Sequence, residues 1–301
     1  MRSRLSITVV GRHAEGEIGD VIIGGVLPPE GATMMERMIA MERGHDHIRQ
    51  LLICEPRGLV ARHVNLIVPP ITPGCAAGAI IMEPTEYVPM SGSNTICVAT
   101  ILLETGMVPM KEPITRFKLD MPGGVIEVAA ECRDGKCRSI TFRNAPALAA
   151  VRDGGLEVEG HGAISLDIAY GGMFFGIVDA QALGFQIRPD EARNPAILGE
   201  KIRKAARQQF DMAHPNFPNV RGGSIVQFAM PFQGSGAVTR NTCIVALGRS
   251  DRSPTGMGTS ARMAVLQARG LMGAGEVLIH ESIIGSRFTG KILELGDRGG
   301  V

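Results

Sequence analysis

An α+β architecture, with two β-rich halves each built around one apolar helix, is what the sequence predicts, and three observations predict it. Short β-branched segments recur along the chain, each bounded by Gly or Pro. The 301 residues include 39 Gly and 18 Pro but no Trp, a composition that supplies many tight turns. One loop-and-helix pattern also occurs twice. Ser91-Gly92-Ser93-Asn94-Thr95 opens an apolar run closed by Gly106, and Thr255-Gly256-Met257-Gly258-Thr259 opens another closed by Gly270, with fifteen positions from hydroxyl to closing Gly in both. A chain of this length suits two domains of about 150 residues each.

The elements follow in order. Ser6 to Val10 and Asp20 to Gly25 read as strands flanking the loop from Gly11 to Gly16. Thr33 and Glu36 form a capping box before a helix that Gly44 ends, and a second helix is expected from Asp46 to Ile53. Ala61 to Val68 and Ala77 to Met82 read as strands. The clearest hairpin is Val125 to Arg143, where Asp134-Gly135 supplies the two-residue turn and sets Cys132 opposite Cys137. Arg188 to Ala213 has helical spacing. Strands are expected at Ser224 to Ala229, Cys243 to Leu247, Glu276 to Ser282 and Lys291 to Leu295.

The repeated pattern carries the functional expectation. In each copy small residues open a helix and a Gly closes it, and the first helix is apolar on nearly every side, so it belongs at the centre of a domain. Two such helices imply two related domains, placed at 1–118 with a central helix over 94–105 and at 119–301 with one over 258–269. If the helix starts face each other, their free N–H groups make a site for a small carboxylate with a hydroxyl on either side. Good helix caps are the plain alternative for either copy alone.

Composition narrows the partners. Lys and Arg number 31 against 30 Asp and Glu, so the electrostatic footprint of a nucleic-acid or membrane-surface binder is missing. No apolar run reaches the length of a bilayer span, and the opening residues break into Gly, Arg and His too early for a signal peptide, so a cytoplasmic location is expected. The six cysteines show no zinc spacing and read as reduced thiols. A nucleophile elbow around Ser91 and a phosphate loop are both absent, which argues against a serine hydrolase and a nucleotide-binding enzyme.

Four stretches resemble the proline racemase family, which includes hydroxyproline 2-epimerases and trans-3-hydroxy-L-proline dehydratases. They are His13-Ala14-Glu15-Gly16, Glu55-Pro56-Arg57-Gly58, Tyr87 to Asn94 and Asp251 to Thr259, in the family's order and separation. The resemblance implies a diaminopimelate-epimerase-like fold of two pseudo-symmetric β-rich domains, a proline- or hydroxyproline-type substrate, no cofactor, no metal and a homodimer. It places Ser91 and Thr255 at the two catalytic positions. It assigns the backbone amides of Gly92, Ser93, Gly256 and Met257 to the substrate carboxylate, and Asp251 to the imino nitrogen.

Both catalytic positions are usually Cys in the racemases and epimerases, and here neither is. A free thiol has a pKa of about 8.5 and ionises readily beside helix dipoles, whereas a serine or threonine hydroxyl does not. Two-base inversion also needs a proton donor on the far face. Thr at the second position resembles the dehydratase branch, where one base removes the α-proton and the 3-hydroxyl leaves. Ser at the first occurs in a branch that epimerises 4-hydroxyproline or dehydrates 3-hydroxyproline. Dehydration is therefore expected, with a 4-hydroxyproline 2-epimerase or proline racemase-like isomerase, and a non-catalytic binder of proline-like ligands, as alternatives.

Other candidates are weaker. Asp251 could simply cap the turn before Pro254, His13 could line a cleft or serve structure, and Asp211 and His214 read as surface residues. The family's chain ordinarily continues past this point with a strand that returns to the first domain. Because this sequence stops at Gly299-Gly300-Val301, that domain is expected to lack an edge strand.

Overall fold

The computed structural model describes residues 5–215 and 217–296. The chain forms two compact units, Met1–Arg143 and Asn144–Val301. The first contains β1 (Thr8–Val10), β2 (His13–Ala14), β3 (Glu17–Gly24), α1 (Met34–Gly44), α2 (Asp46–Ile53), β4 (Arg62–Val68), β5 (Ala77–Met82), β6 (Tyr87–Val88), α3 (Gly92–Glu104), β7 (Ile114–Met121), β8 (Gly124–Arg133) and β9 (Lys136–Phe142). All nine strands join one sheet, ordered β1-β3-β4-β5-β7-β8-β9 with β2 on β3 and β6 on β5.

The second unit contains β10 (Leu148–Val158), β11 (Gly162–Tyr170), β12 (Phe174–Asp179), α4 (Arg193–Gln209), β13 (Ala213–His214), β14 (Phe217–Arg221), β15 (Gly223–Ala229), β16 (Val238–Val245), β17 (Arg249–Ser250), α5 (Gly256–Ala268), β18 (Val277–Glu281) and β19 (Arg287–Lys291). Its main sheet runs β10-β11-β12-β15-β16-β18-β19 with β17 on β16, while β13 and β14 pair separately.

The two sheets repeat one topology. Antiparallel, parallel, antiparallel, parallel and antiparallel pairings follow in turn from β1 through β3, β4, β5 and β7 to β8. The same succession runs from β11 through β12, β15, β16 and β18 to β19. A two-residue strand, β6 or β17, lies antiparallel on the fourth strand of each run and leads directly into the central helix. The first unit adds β9 at one end of its run, and the second adds β10 at the other.

Each sheet is covered on two faces. In the first unit Met34, Met38 and Met41 of α1 and Ile48 and Ile53 of α2 pack with Val64, Leu66, Val68, Ile80 and Met82 of the strands. The helix α3 is buried along nearly its whole length, from Gly92 to Leu103, which its apolar run requires. With helices on both faces, β5 is buried at every position and reads as an uninterrupted apolar segment. In the second unit Leu198, Ile202 and Ala206 of α4 pack with Leu156, Leu166, Phe174, Phe228 and Ile244. The central helix α5 buries Met257, Ala261, Val265 and Leu266.

The expected elements are met with several corrections. Thr33 Oγ1 accepts from Glu36 N at 3.1 Å, and the Glu36 carboxylate returns to the N–H of Ala32 at 2.7 Å, one residue before the cap. Cys132 pairs with Cys137 across the β8–β9 turn, and both are free and buried thiols. The expected domain division at 118/119 falls inside β7, because β7, β8 and β9 continue the first sheet. β16 begins five residues before its expected start, and β19 lies ahead of the expected Lys291 to Leu295 strand. The stretch holding β10 to β12, for which the sequence reading assigns no element, supplies three strands of the second sheet.

Candidate active site

In the first unit the chain leaves β6 in extended conformation and enters α3 at Ser91, with φ −150° and ψ 129°. The first hydrogen bond of the helix runs from Thr95 N to Ser91 O, so the N–H groups of Gly92, Ser93 and Asn94 have no partner within the helix. Ser91 is buried, and its side chain makes no capping bond. Its Oγ instead accepts from Asn94 Nδ2 at 3.0 Å and lies 3.5 Å from Ser93 Oγ.

The second unit builds the corresponding start differently. Thr255 stands at φ +64°, ψ 109°, in a region that a β-branched residue occupies only under constraint. The constraint comes from Asp251 and Ser253. Asp251 Oδ1 accepts from Ser253 N at 2.7 Å, Ser253 Oγ accepts from Thr255 N at 3.2 Å, and Thr255 Oγ1 donates to Asp251 Oδ2 at 3.0 Å. Asp251 therefore does shape the turn before Pro254. The repeat extends to single bonds: Thr95 Oγ1 donates to Ser91 O at 2.8 Å, and Thr259 Oγ1 donates to Thr255 O at 3.0 Å. Neither leading hydroxyl is spent on capping its helix, so the plain capping reading fails for both.

The structure thus groups Ser91, Gly92 and Ser93 at the start of α3, and Asp251, Thr255, Gly256 and Met257 at the start of α5. Thiols beside the two helices do not replace the missing cysteines. Burial pushes Cys97 up to about 12, and burial does the same to Cys243, against which the Thr255 side chain lies. Both stay protonated at neutral pH and are poor nucleophiles.

His13 is exposed and serves structure, its Nδ1 accepting from Gly16 N at 3.2 Å. Asp211 is a surface residue paired with Arg221 at 3.0 Å. His214 is not: it is buried, its ring meets Tyr170 edge-on at 4.8 Å, and burial holds its pKa below the usual histidine value.

Sequence reasoning missed the polar cluster beneath Ser91. His63 and Asn65 on β4 and Glu17 on β3 are buried with Asn94. The signal was there in the β4 sequence RHVNLIV, where His63 and Asn65 alternate on one face of an otherwise apolar strand.

The proline racemase family model matches residues 9–301. The chain belongs to the proline racemase family. A crystal structure of a hydroxyproline epimerase from Agrobacterium vitis with bound trans-4-hydroxy-L-proline matches with a TM-score of 0.92 at 36% identity, covering 100% of this chain and 88% of that one. The structure of a probable proline racemase from Agrobacterium radiobacter K84 with bound carbonate matches with a TM-score of 0.91 at 35% identity, covering 98% and 87%. A predicted epimerase from Pseudomonas aeruginosa shares the fold at a TM-score of 0.58 and 15% identity, over 92% and 86%. The fold is the diaminopimelate-epimerase-like pair of β-rich halves, and this proline racemase family member is an enzyme of proline-like substrates. No helix among the described residues is long and apolar enough to cross a membrane.

Proposed function

We propose that this protein takes the α-proton of a hydroxyproline without a cofactor, and that its reaction is dehydration of trans-3-hydroxy-L-proline to a pyrroline-2-carboxylate. The observation that carries this reading is the direction of the Thr255 hydroxyl. It gives its hydrogen to the Asp251 carboxylate, so it holds no proton ready for the far face of a substrate Cα. Ser91 Oγ accepts from Asn94 Nδ2, so an amide donor supports the oxygen proposed to take the α-proton. In elimination the proton that Ser91 takes from Cα passes to the hydroxide leaving C3 on the same face, and the two depart as water. Nothing has to be returned to the opposite face.

The remaining roles follow the family resemblance. The N–H groups of Gly92, Ser93, Gly256 and Met257 bind the substrate carboxylate, Asp251 binds the imino nitrogen, and Thr255, at the second catalytic position, holds Asp251 in place through its hydroxyl. A second reading, 4-hydroxyproline 2-epimerisation, is favoured by the Agrobacterium vitis epimerase with its bound trans-4-hydroxy-L-proline. Incubation with each hydroxyproline separates the two. Pyrroline carboxylate from trans-3-hydroxy-L-proline, lost in Ser91→Ala, supports dehydration; inversion of 4-hydroxyproline with the 3-isomer untouched supports epimerisation. Binding of both without turnover would mean a ligand-binding protein.

A further inference from the structure

The hydrogen bonds of the polar cluster beneath Ser91 can be followed from a backbone carbonyl. The oxygen of Asp20 can only accept, so Asn65, whose side chain lies 3.1 Å from it, must present its amide nitrogen there. The same Asn65 nitrogen lies 2.9 Å from Asn94 Oδ1, which fixes the Asn94 carboxamide oxygen towards Asn65. Asn94 Nδ2 is then left to donate both its hydrogens, one to Ser91 Oγ at 3.0 Å and the other to His63 Nδ1 at 3.2 Å. His63 Nδ1 thereby accepts from Asn94, and its Nε2 faces Glu17 Oε1 at 3.6 Å. Glu83 Oε1 lies 3.9 Å from Nδ1 on the other side.

Asn94, Asn65, His63 and Glu17 are all buried, so this order cannot be rearranged by water without cost. Gly19 shows how closely it is packed: a Cβ there would stand 2.8 Å from Asn94 Oδ1 and 2.9 Å from Cys97 Sγ. The corresponding position at the start of α5 is Gly258, which has no side chain to do this work.

We infer that Asn94, held by Asn65 and His63, is a positioning residue that supports negative charge on the Ser91 oxygen, the task a low-pKa thiol performs for itself. The inference deepens the proposed role of Ser91 and rests on it for its effect on turnover. Its physical content, an N–H aimed at the side chain of residue 91, can be read without any substrate.

The test uses the full chain carrying Ser91→Cys. Iodoacetamide alkylation of the introduced thiol is followed by peptide-resolved mass spectrometry, which separates it from the six native cysteines. Adding Asn94→Ala removes the donor, and alkylation at neutral pH should slow by about tenfold, as for a rise of about one pKa unit. Adding His63→Leu, which leaves Asn94 in place but frees its amide, should slow it by about threefold, and this variant decides the question if Asn94→Ala does not fold. An unchanged alkylation rate in either folded variant overturns the inference. In turnover assays Asn94→Ala should lower kcat about a hundredfold with KM within about threefold, and less than tenfold in the Ser91→Cys background. If no hydroxyproline is consumed by any of these proteins, the proposed reaction fails while the alkylation result still decides the role of Asn94.

Discussion

The starts of α3 and α5 share one pattern and put their hydroxyls to opposite uses. In the first half Ser91 lies in relaxed extended backbone and its oxygen accepts from an amide. In the second half Thr255 is held at positive φ and its oxygen donates to a carboxylate. The scaffold that carries them is matched in the strand order of the run, the two-residue strand that precedes each helix and the threonine hydroxyl bond back to the residue at the cap. The lesson is that proton traffic is set by the partner of the hydroxyl rather than by the helix that bears it.

Substitutions at the two hydroxyls should break the comparison most strongly. Ser91→Ala should lower kcat at least about a thousandfold, while Thr255→Val, which loses the hydrogen bond to Asp251, should cost about ten- to a hundredfold. Steady-state kinetics on trans-3-hydroxy-L-proline would check both, and equal losses would erase the asymmetry. Thr255→Cys should add inversion of 4-hydroxyproline at Cα to the activity, seen by chiral chromatography, because a thiol can deliver the second proton. No gain would count against Thr255 lying opposite Ser91 on the substrate.

Smaller effects sharpen the contrast in stability. His280 of β18 is fully buried against Thr259 Oγ1 at 2.9 Å, and burial, aided by Arg262, pushes its pKa down to about 3. Below its ordinary value the unfolded chain takes up a proton that the folded chain refuses. The stability this group contributes is therefore complete above about pH 6.5 and lost as pH falls towards 3. Denaturant unfolding between pH 6.5 and 4.5 should show the parent losing about 1 kcal/mol per pH unit more than His280→Asn. The strained backbone at Thr255 gives the least effect: Thr255→Gly should be more stable than Thr255→Ala by about 1 kcal/mol, since Gly adopts positive φ freely. The same pair at Ser91, with φ −150°, should favour Ala.

Much of this molecule is legible in its sequence where the controlling interactions are local. The α2 helix from Asp46 to Ile53, the Asp134-Gly135 turn with both residues at positive φ, and the two central helices are set by caps, turn chemistry and apolar periodicity. The strands β10 to β12 escape that reading for a local reason too. β10 carries Asp153-Gly154-Gly155 in its middle, with Asp153 at φ +52° and two register shifts against β11, so its alternation is broken. The support beneath Ser91 is hidden because it is long-range: Asn94 meets residues 29 and 31 positions away, brought together only when β4 and α3 pack. The positive φ of Thr255 is held by near neighbours, the side chains of Asp251 and Ser253, on a residue type that does not choose it.

The account stands on a single proton acceptor at Ser91, and solvent deuterium tests it most directly. Wild-type protein is incubated in D2O with trans-4-hydroxy-L-proline, which has no 3-hydroxyl to lose, and the Cα position is read by NMR and chiral chromatography. Deuterium entering Cα with retained configuration, and disappearing in Ser91→Ala, is the predicted result. Accumulation of the inverted isomer at a rate matching deuterium uptake would require a second proton donor and would contradict it.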